Sequence, residues 1–531
     1  MSAVGIALIV VFLVFTALMY LKRISAMLAL PVMALLLAMI ANVPHQYILR
    51  EILENCAKEV MPPMMAAIFG GMLSLFIKNQ GIATVFVRYA AELGGDRPLV
   101  VAVCIMFATA IMFMTLGGLG AVIIVGSIIL PIMMSLGIAP LTAAGIMLIG
   151  VAMGGSLNIG NWQLYISVLG LTKATVRNFA LIMTALCAVV GLIFCAWSLR
   201  RSQLRRFWPA PLGPAAAEAR EPIRRTALFT PLVPLLLVLL LDWPIVPAFI
   251  GGLIFALMSA NAEGEIALVS LLILFFNIWL FSKVAPQYLQ THTGAETSIL
   301  NAIVGGIATV AIFLLWEGYA LVEAFRQQRS RRWKLALLTP FASLIFLHVL
   351  HWPALSGFFA GALLAVVITV RHKNVQTFTK SVLESFESVA PAVILIVGIG
   401  MLLNSVKHPN ISDALRPFLL AMSPRQNGFL YVVIFSLMAP LALYRGPLNI
   451  WGMGSGVAAI LLTTGALEPN AIMAMLISVG ALQGVCDPTN TANVWIANFA
   501  KVDTADILRS TIVYVWPLAV VALSIAAFMY F

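Results

Sequence analysis

The stretch Gly484-Val485-Cys486-Asp487-Pro488-Thr489-Asn490-Thr491-Ala492-Asn493 puts an acid, a proline and four small polar side chains inside an apolar run. Backbone in hydrocarbon normally satisfies its own hydrogen bonds by staying helical, so such a break must find partners for the groups it frees. Two half-helix ends, with free N–H and C=O groups and short polar side chains, can hold an ion or an anion near a membrane midplane. Asp487 is the one acid in a predicted helix break. Its candidate role is ion coupling, by taking up a proton or by sharing a cation with backbone carbonyls and the side-chain oxygens of Thr489, Asn490 and Asn493. The competing role is a cap on the second half-helix, which Asp, Thr and Asn all fill.

A second charged position lies in Leu443-Tyr444-Arg445-Gly446-Pro447-Leu448-Asn449. A charge inside a membrane costs several kcal/mol unless it faces a cavity or a partner. The planar guanidinium of Arg445 suits a carboxylate; snorkelling from a shallower turn and a structural pair with Asp487 are the alternatives. Two uncharged counterparts occur earlier: the glycine-marked Thr115-Leu116-Gly117-Gly118-Leu119-Gly120, and Gly154 to Asn161 with Ser156, Asn158 and Asn161. Glu317 reads as structural or interfacial, and the methionines of Met61 to Met72 as packing. No HExxH, GxSxG or Walker A pattern is present in the sequence, so no enzymatic activity and no cofactor is expected.

These residues need a membrane to organise them. Of 531 residues, 62% are hydrophobic and 10% charged, with a mean hydropathy of +1.04. Soluble domains do not have that composition. The net charge of +11 gathers in short segments between apolar runs, marking cytoplasmic loops rather than a nucleic-acid surface. Five cysteines stand singly, without CxxC spacing, and read as core thiols, not as a disulfide framework or a metal site. The run Val4 to Tyr20 is followed by Lys22 and Arg23 instead of preceded by basic residues, the wrong polarity for a cleaved signal peptide.

Taken in order, the chain begins with spans at Val4–Tyr20 and Ala26–Val43, an interfacial amphipathic stretch His45–Glu59, and a span Pro62–Ile77. Two apolar arms, Val100–Met114 and Ala121–Leu136, flank the glycine cluster and read as a re-entrant hairpin with its tip at 115–120. A broken helix, interrupted at 155–161, and a span Phe179–Ser198 complete residues 1–199. Residues 200–226, rich in Arg and Pro, form a cytoplasmic linker. Residues 227–335 hold four further spans: Phe229–Leu241, Ile245–Ser259, Ile266–Phe281 and Ile299–Tyr319.

Residues 336–531 repeat the first part. Pro62 falls on Pro391, Lys78 on Lys407, Gly117 on Gly446, Pro140 on Pro469, Gly155 on Gly484 and Asn161 on Asn490, all by one shift of 329 residues. The second hairpin tip is then 444–449 and the second break 484–493. Five spans per half plus four between make an odd number, so the repeats are inverted. Charge agrees, since Lys22-Arg23 would lie inside while its counterpart His351-Trp352 would lie outside. A smaller echo relates Thr230-Pro231 and Trp243-Pro244 to Thr339-Pro340 and Trp352-Pro353, at a shift of 109. The expected fold is an all-α polytopic membrane protein of about fourteen spans with both termini outside.

The paired tips and breaks resemble the ion transporter superfamily of secondary carriers, which includes citrate, gluconate and C4-dicarboxylate permeases and divalent anion:sodium symporters. The resemblance covers most of residues 1–200 and 336–531. It implies an elevator movement, a homodimer, and a site built from Thr115, Gly118, Ser156, Asn158 and Asn161 on one side and Arg445, Asn449, Asp487, Thr489 and Asn490 on the other. The Ser-Asn-Thr signature of many sodium-coupled dicarboxylate members is absent; Pro488-Thr489-Asn490-Thr491 is the nearest approach.

The leading expectation is a carrier of a small organic anion, a carboxylate, coupled to H+ or Na+ in a bacterial inner membrane, with Asn493 joining Asp487 in ion coupling. A Na+/H+ antiporter using Asp487, with Arg445 as counter-ion, is the rival. A membrane subunit or an enzyme acting on lipid-linked substrates lacks any nucleophile or metal constellation in the sequence.

Overall fold

The computed structural model describes residues 3–21, 23–95, 97–201, 223–275, 311, 313–324, 326, 331–348, 354–424 and 427–531. Every regular element among them is helical. Six helices are long and apolar enough to cross a membrane: Met61–Asn79, Gly118–Ser135, Lys173–Arg200, Lys373–Lys407, Pro469–Ala500 and Thr504–Tyr530. The pair Pro140–Ser156 and Ile159–Leu169, bent by 52°, adds a seventh if taken as one span. These are the helices of a multi-pass membrane protein. Other stretches that the sequence reads as spans are shorter apolar helices, such as Ala3–Met19, Ala26–Ile40 and Ile245–Ser259. Gly118–Ser135, expected as a hairpin arm, is itself of spanning length, because length alone does not separate an arm from a span. The linker at 200–226, the basic loop at 326–334 and the spans Ile266–Phe281 and Ile299–Tyr319 fall partly outside the described residues.

The chain divides into two compact units. The first comprises Met1–Arg220, Pro231–Phe249 and Ser381–Phe531. Its site-bearing helices are α1 (Met61–Asn79), α2 (Pro98–Phe113), α3 (Gly118–Ser135), α4 (Pro140–Ser156), α5 (Ile159–Leu169), α6 (Lys173–Arg201), α7 (His372–Lys407, from Ser381 onward), α8 (Gly428–Met438), α9 (Gly454–Thr463), α10 (Pro469–Cys486), α11 (Thr491–Ala500) and α12 (Thr504–Tyr530). Prolines start α2, α4 and α10, where the missing N–H costs nothing. Asparagine or aspartate caps α5, α8, α11 and α12 through its side chain.

At the centre of this unit α4 packs against α10. Their middle turns are buried on every side, from Ala143 to Met147 and from Ala471 to Leu476. Around that pair α2 and α6 pack on α4, and α12 packs on α10. Helix α3 lies on α11, which follows the second break, and α9 lies on α5, which follows the first. With no hydrophobic driving force in lipid, such contacts rest on close packing through small residues. At Gly126 of α3 an added Cβ would stand 2.5 Å from the Trp495 ring of α11.

The second unit comprises Glu221–Thr230 and Ile250–Lys380. Its described core joins Ile254, Met258, Leu268 and Leu271 to Ala336 and Ala365. Asn261 donates to the Thr369 carbonyl at 3.0 Å, and Arg371 pairs with Glu263 at 3.0 Å.

Candidate functional site

The first break is stitched by side chains that satisfy the groups it frees. After α4 the chain turns extended at Asn158 (φ −70°, ψ 113°), whose Oδ1 accepts from the N–H of Gly160 at 3.0 Å and of Asn161 at 3.3 Å. Its Nδ2 donates to the carbonyls of Phe113 at 2.9 Å and Leu116 at 3.0 Å, in the tip between α2 and α3. The orphan carbonyls at the end of α4 are also met: Asn161 Nδ2 donates to Gly155 at 2.9 Å and Trp162 Nε1 to Ser156 at 2.8 Å.

The second break repeats the device with a different side chain. Asp487 (φ −70°, ψ 111°) accepts on Oδ1 from the Thr489 N–H at 2.8 Å and the Thr489 hydroxyl at 2.7 Å. Asn490 caps α11 by accepting from the Ala492 N–H at 3.2 Å, and Asn493 Nδ2 donates to the Val485 carbonyl at 3.0 Å. Asp487 Oδ2 and Asn493 Oδ1 are buried and have no hydrogen-bond partner among the described residues.

The segments expected as the two tips differ in backbone conformation. In the first, Gly118 takes the left-handed conformation at φ 77°, and α3 starts with no side-chain cap on its N–H groups. Thr115 donates its hydroxyl to the Pro231 carbonyl at 2.7 Å. In the second, a 3-10 segment, Ala439–Arg445, breaks at Leu443, and Tyr444 carries the left-handed φ of 57°, a strained position for an aromatic residue. Asn449 accepts from the Trp451 N–H at 2.9 Å, while its Nδ2 is buried without an acceptor among the described residues.

Both tips and both breaks border one cavity of about 1090 Å³. Thr115 to Gly120 line it from the first tip and Gly155, Asn158 and Asn161 from the first break. Tyr444 and Trp451 enter from the second tip, and Gln483 with Pro488 to Ala492 from the second break. Of the expected site residues, Thr115, Gly118, Asn158, Asn161, Thr489 and Asn490 therefore share one wall system. Ser156, Asn449, Asp487 and Asn493 do not line it; Ser156 bonds back to the Ala152 carbonyl at 3.0 Å. The side chain of Arg445 lies outside the described residues.

No protein-family model matches the chain, and no curated protein matches its sequence.

The starts of α3, α5 and α11 all open onto the cavity with the partial positive charge of helix N-termini, and α3 alone of the three has no side-chain cap on its N–H groups. Glu387 of α7 is the one acidic or basic side chain among the described lining residues. Such a wall can seat a small polar or anionic molecule by hydrogen bonds.

Sequence reasoning missed Glu387, Ser388, Gln483, Trp451 and Phe249 as lining residues. Gln483, polar in an apolar run beside Gly484, carried a usable signal. Trp451 and Phe249 carried none, because an aromatic residue in an apolar segment reads as core.

Proposed function

We propose that the chain is a secondary active carrier that moves a small organic anion, a carboxylate, across a bacterial inner membrane in exchange for the energy of an H+ or Na+ gradient. The observation that carries this reading is the meeting of two hairpin tips and two helix breaks on one cavity. Discontinuous helices meeting at a repeat interface are where secondary carriers hold substrate and coupling ion. Element boundaries support the repeat: helices starting at Pro98, Pro140 and Lys173 recur from Gly428, Pro469 and Thr504, close to the 329-residue register. The reciprocal packing of α3 on α11 and α9 on α5 is what a pseudo-twofold axis would generate. In this reading α2–α3 and α8–α9 are re-entrant hairpins, and the protein works as a homodimer by an elevator movement.

A Na+/H+ antiporter is the second reading. It is favoured by the buried, unpartnered Asp487 Oδ2 and by the scarcity of positive side chains among the described lining residues.

The deciding experiment is the melting temperature of purified protein against a panel of carboxylates and sugar acids, with and without Na+ and at two pH values. A ligand that binds only the folded state raises stability by mass action. A shift with one anion that grows with Na+ or with acid supports the carrier. A shift with Na+ alone, and with no anion, replaces it by the antiporter.

A further inference from the structure

The segment Pro231–Phe249 lies between the two repeats in the chain, yet it folds into the unit that holds the cavity, while Ile250–Lys380 belongs to the other unit. Polar contacts fix it at two points. The hydroxyl of Thr115, between α2 and α3, donates to the Pro231 carbonyl at 2.7 Å. Lys173, the first residue of α6, pairs with the Asp242 carboxylate at 2.5 Å and donates to the carbonyls of Asp242 at 2.9 Å and Trp243 at 3.1 Å. Those carbonyls follow the end of the helix Val233–Leu240, where a cation meets free acceptors and the negative end of the helix dipole. Leu235 and Val238 are buried between the two fixed points, and Ile245, Ala248 and Phe249 beyond them.

Phe249 ends the segment. Its side chain is 1% exposed and borders the cavity. The ring sits where two glycines leave room for it: a Cβ on Gly70 of α1 would stand 3.2 Å from it, and one on Gly160, in the first turn of α5, 3.9 Å. Helices α1 and α5 pack on each other, so the ring fills a gap between them beside the first break. Neither glycine carries a side chain that could take its place, and a gap left by a deleted ring closes only in part. Small-ligand sites pair a few placed polar groups with apolar and aromatic walls. Here the polar groups are those of the first break, and the wall is Phe249.

We propose that Pro231–Phe249 is part of the ligand site, with Phe249 closing the cavity at the first break and so setting the length of the carboxylate it admits. The inference rests on the carrier reading. Thr115 is then a positioning residue, which holds the segment through Pro231, and Phe249 is the residue that determines specificity.

The test compares full-length variants by the melting-temperature shift that each member of a series of straight-chain carboxylates, from acetate upward, produces. Phe249→Ala should move the best ligand to a longer member and change the affinity ratio between neighbours in the series by about tenfold, the worth of a methylene in an apolar pocket. Phe249→Leu should change it less, in the same direction, and serves if the alanine variant does not fold. Thr115→Val should weaken all members alike and keep their order. An unchanged order in folded Phe249→Ala or Phe249→Leu overturns the proposal, because a ring that only packs helices lowers stability without selecting among ligands.

A second measurement needs no substrate. A cysteine placed by Gly70→Cys should resist a small thiol reagent while the ring covers it and react once Phe249→Ala is added, above the labelling of the five native cysteines. Equal labelling with and without the ring overturns the closure. If no carboxylate shifts the melting of wild-type protein, the carrier reading fails, and the labelling still decides whether Phe249 closes the cavity.

Discussion

Asn158 holds Phe113 by a 2.9 Å hydrogen bond from Nδ2 to the backbone carbonyl, tying the first helix break to the end of α2. The same side chain caps α5 through Oδ1. Asn158→Ala therefore removes a cap, costing about 1 kcal/mol, and strips the donor from two buried carbonyls, at roughly 1–3 kcal/mol. A fall in melting temperature matching a total of about 3 kcal/mol is expected. An unchanged melting curve would mean that water or another side chain replaces both roles.

Gly126 faces Trp495 so closely that a Cβ would stand 2.5 Å from the ring and 3.0 Å from the Met147 methyl. Gly126→Ala should destabilise by about 1–3 kcal/mol through overpacking and shift the fluorescence of Trp495. Adding Trp495→Phe should recover part of the loss, since the two positions share one contact. Simple additivity of the two changes would show that the clash is relieved elsewhere.

Arg445 tests the anion reading directly. If its guanidinium receives a carboxylate, Arg445→Ala abolishes saturable uptake, and Arg445→Lys restores it poorly because an ammonium lacks the planar fork. Full uptake by correctly folded Arg445→Ala would remove the residue from the site.

Tyr47, in the stretch read as interfacial, donates its hydroxyl to the Asn404 carbonyl at 3.1 Å. Burial first, then Glu51 and Glu59, raises its pKa above the ordinary tyrosine value. A raised acid favours the protonated fold, so its contribution is complete below the unfolded pKa of about 10 and is lost as pH rises through the folded pKa. Tyr47→Phe should cost about 1 kcal/mol near neutral pH and lessen the decline above pH ~10. Thermal melts across that alkaline range measure both effects; an identical alkaline decline in the variant would assign it to other groups.

Much of this architecture was legible because membrane burial leaves a simple record. Polar and proline residues in an apolar chain are costly unless they serve a turn, a cap or a site. The polar residues therefore marked the two breaks, expected at 155–161 and 484–493 and found at 157–158 and 487–490. The first bends its helices by 52°, while the second leaves Pro469–Ala500 countable as one span of 32 residues. That difference lies in backbone angles that residue types do not specify.

By itself the sequence determined the helical, multi-pass class and the neighbourhoods of the two helix breaks, through hydropathy and punctuation that act locally. Only the tertiary structure decided which groups share a cavity. It put Thr489 and Asn490 on the wall and Asp487 behind it, brought Trp451 and Phe249 in from distant apolar segments, and turned Ser156 back into its own helix. The physical reason is that a side chain's direction depends on the few degrees of backbone rotation at each break and on which neighbour packs there, and those are properties of the assembled unit.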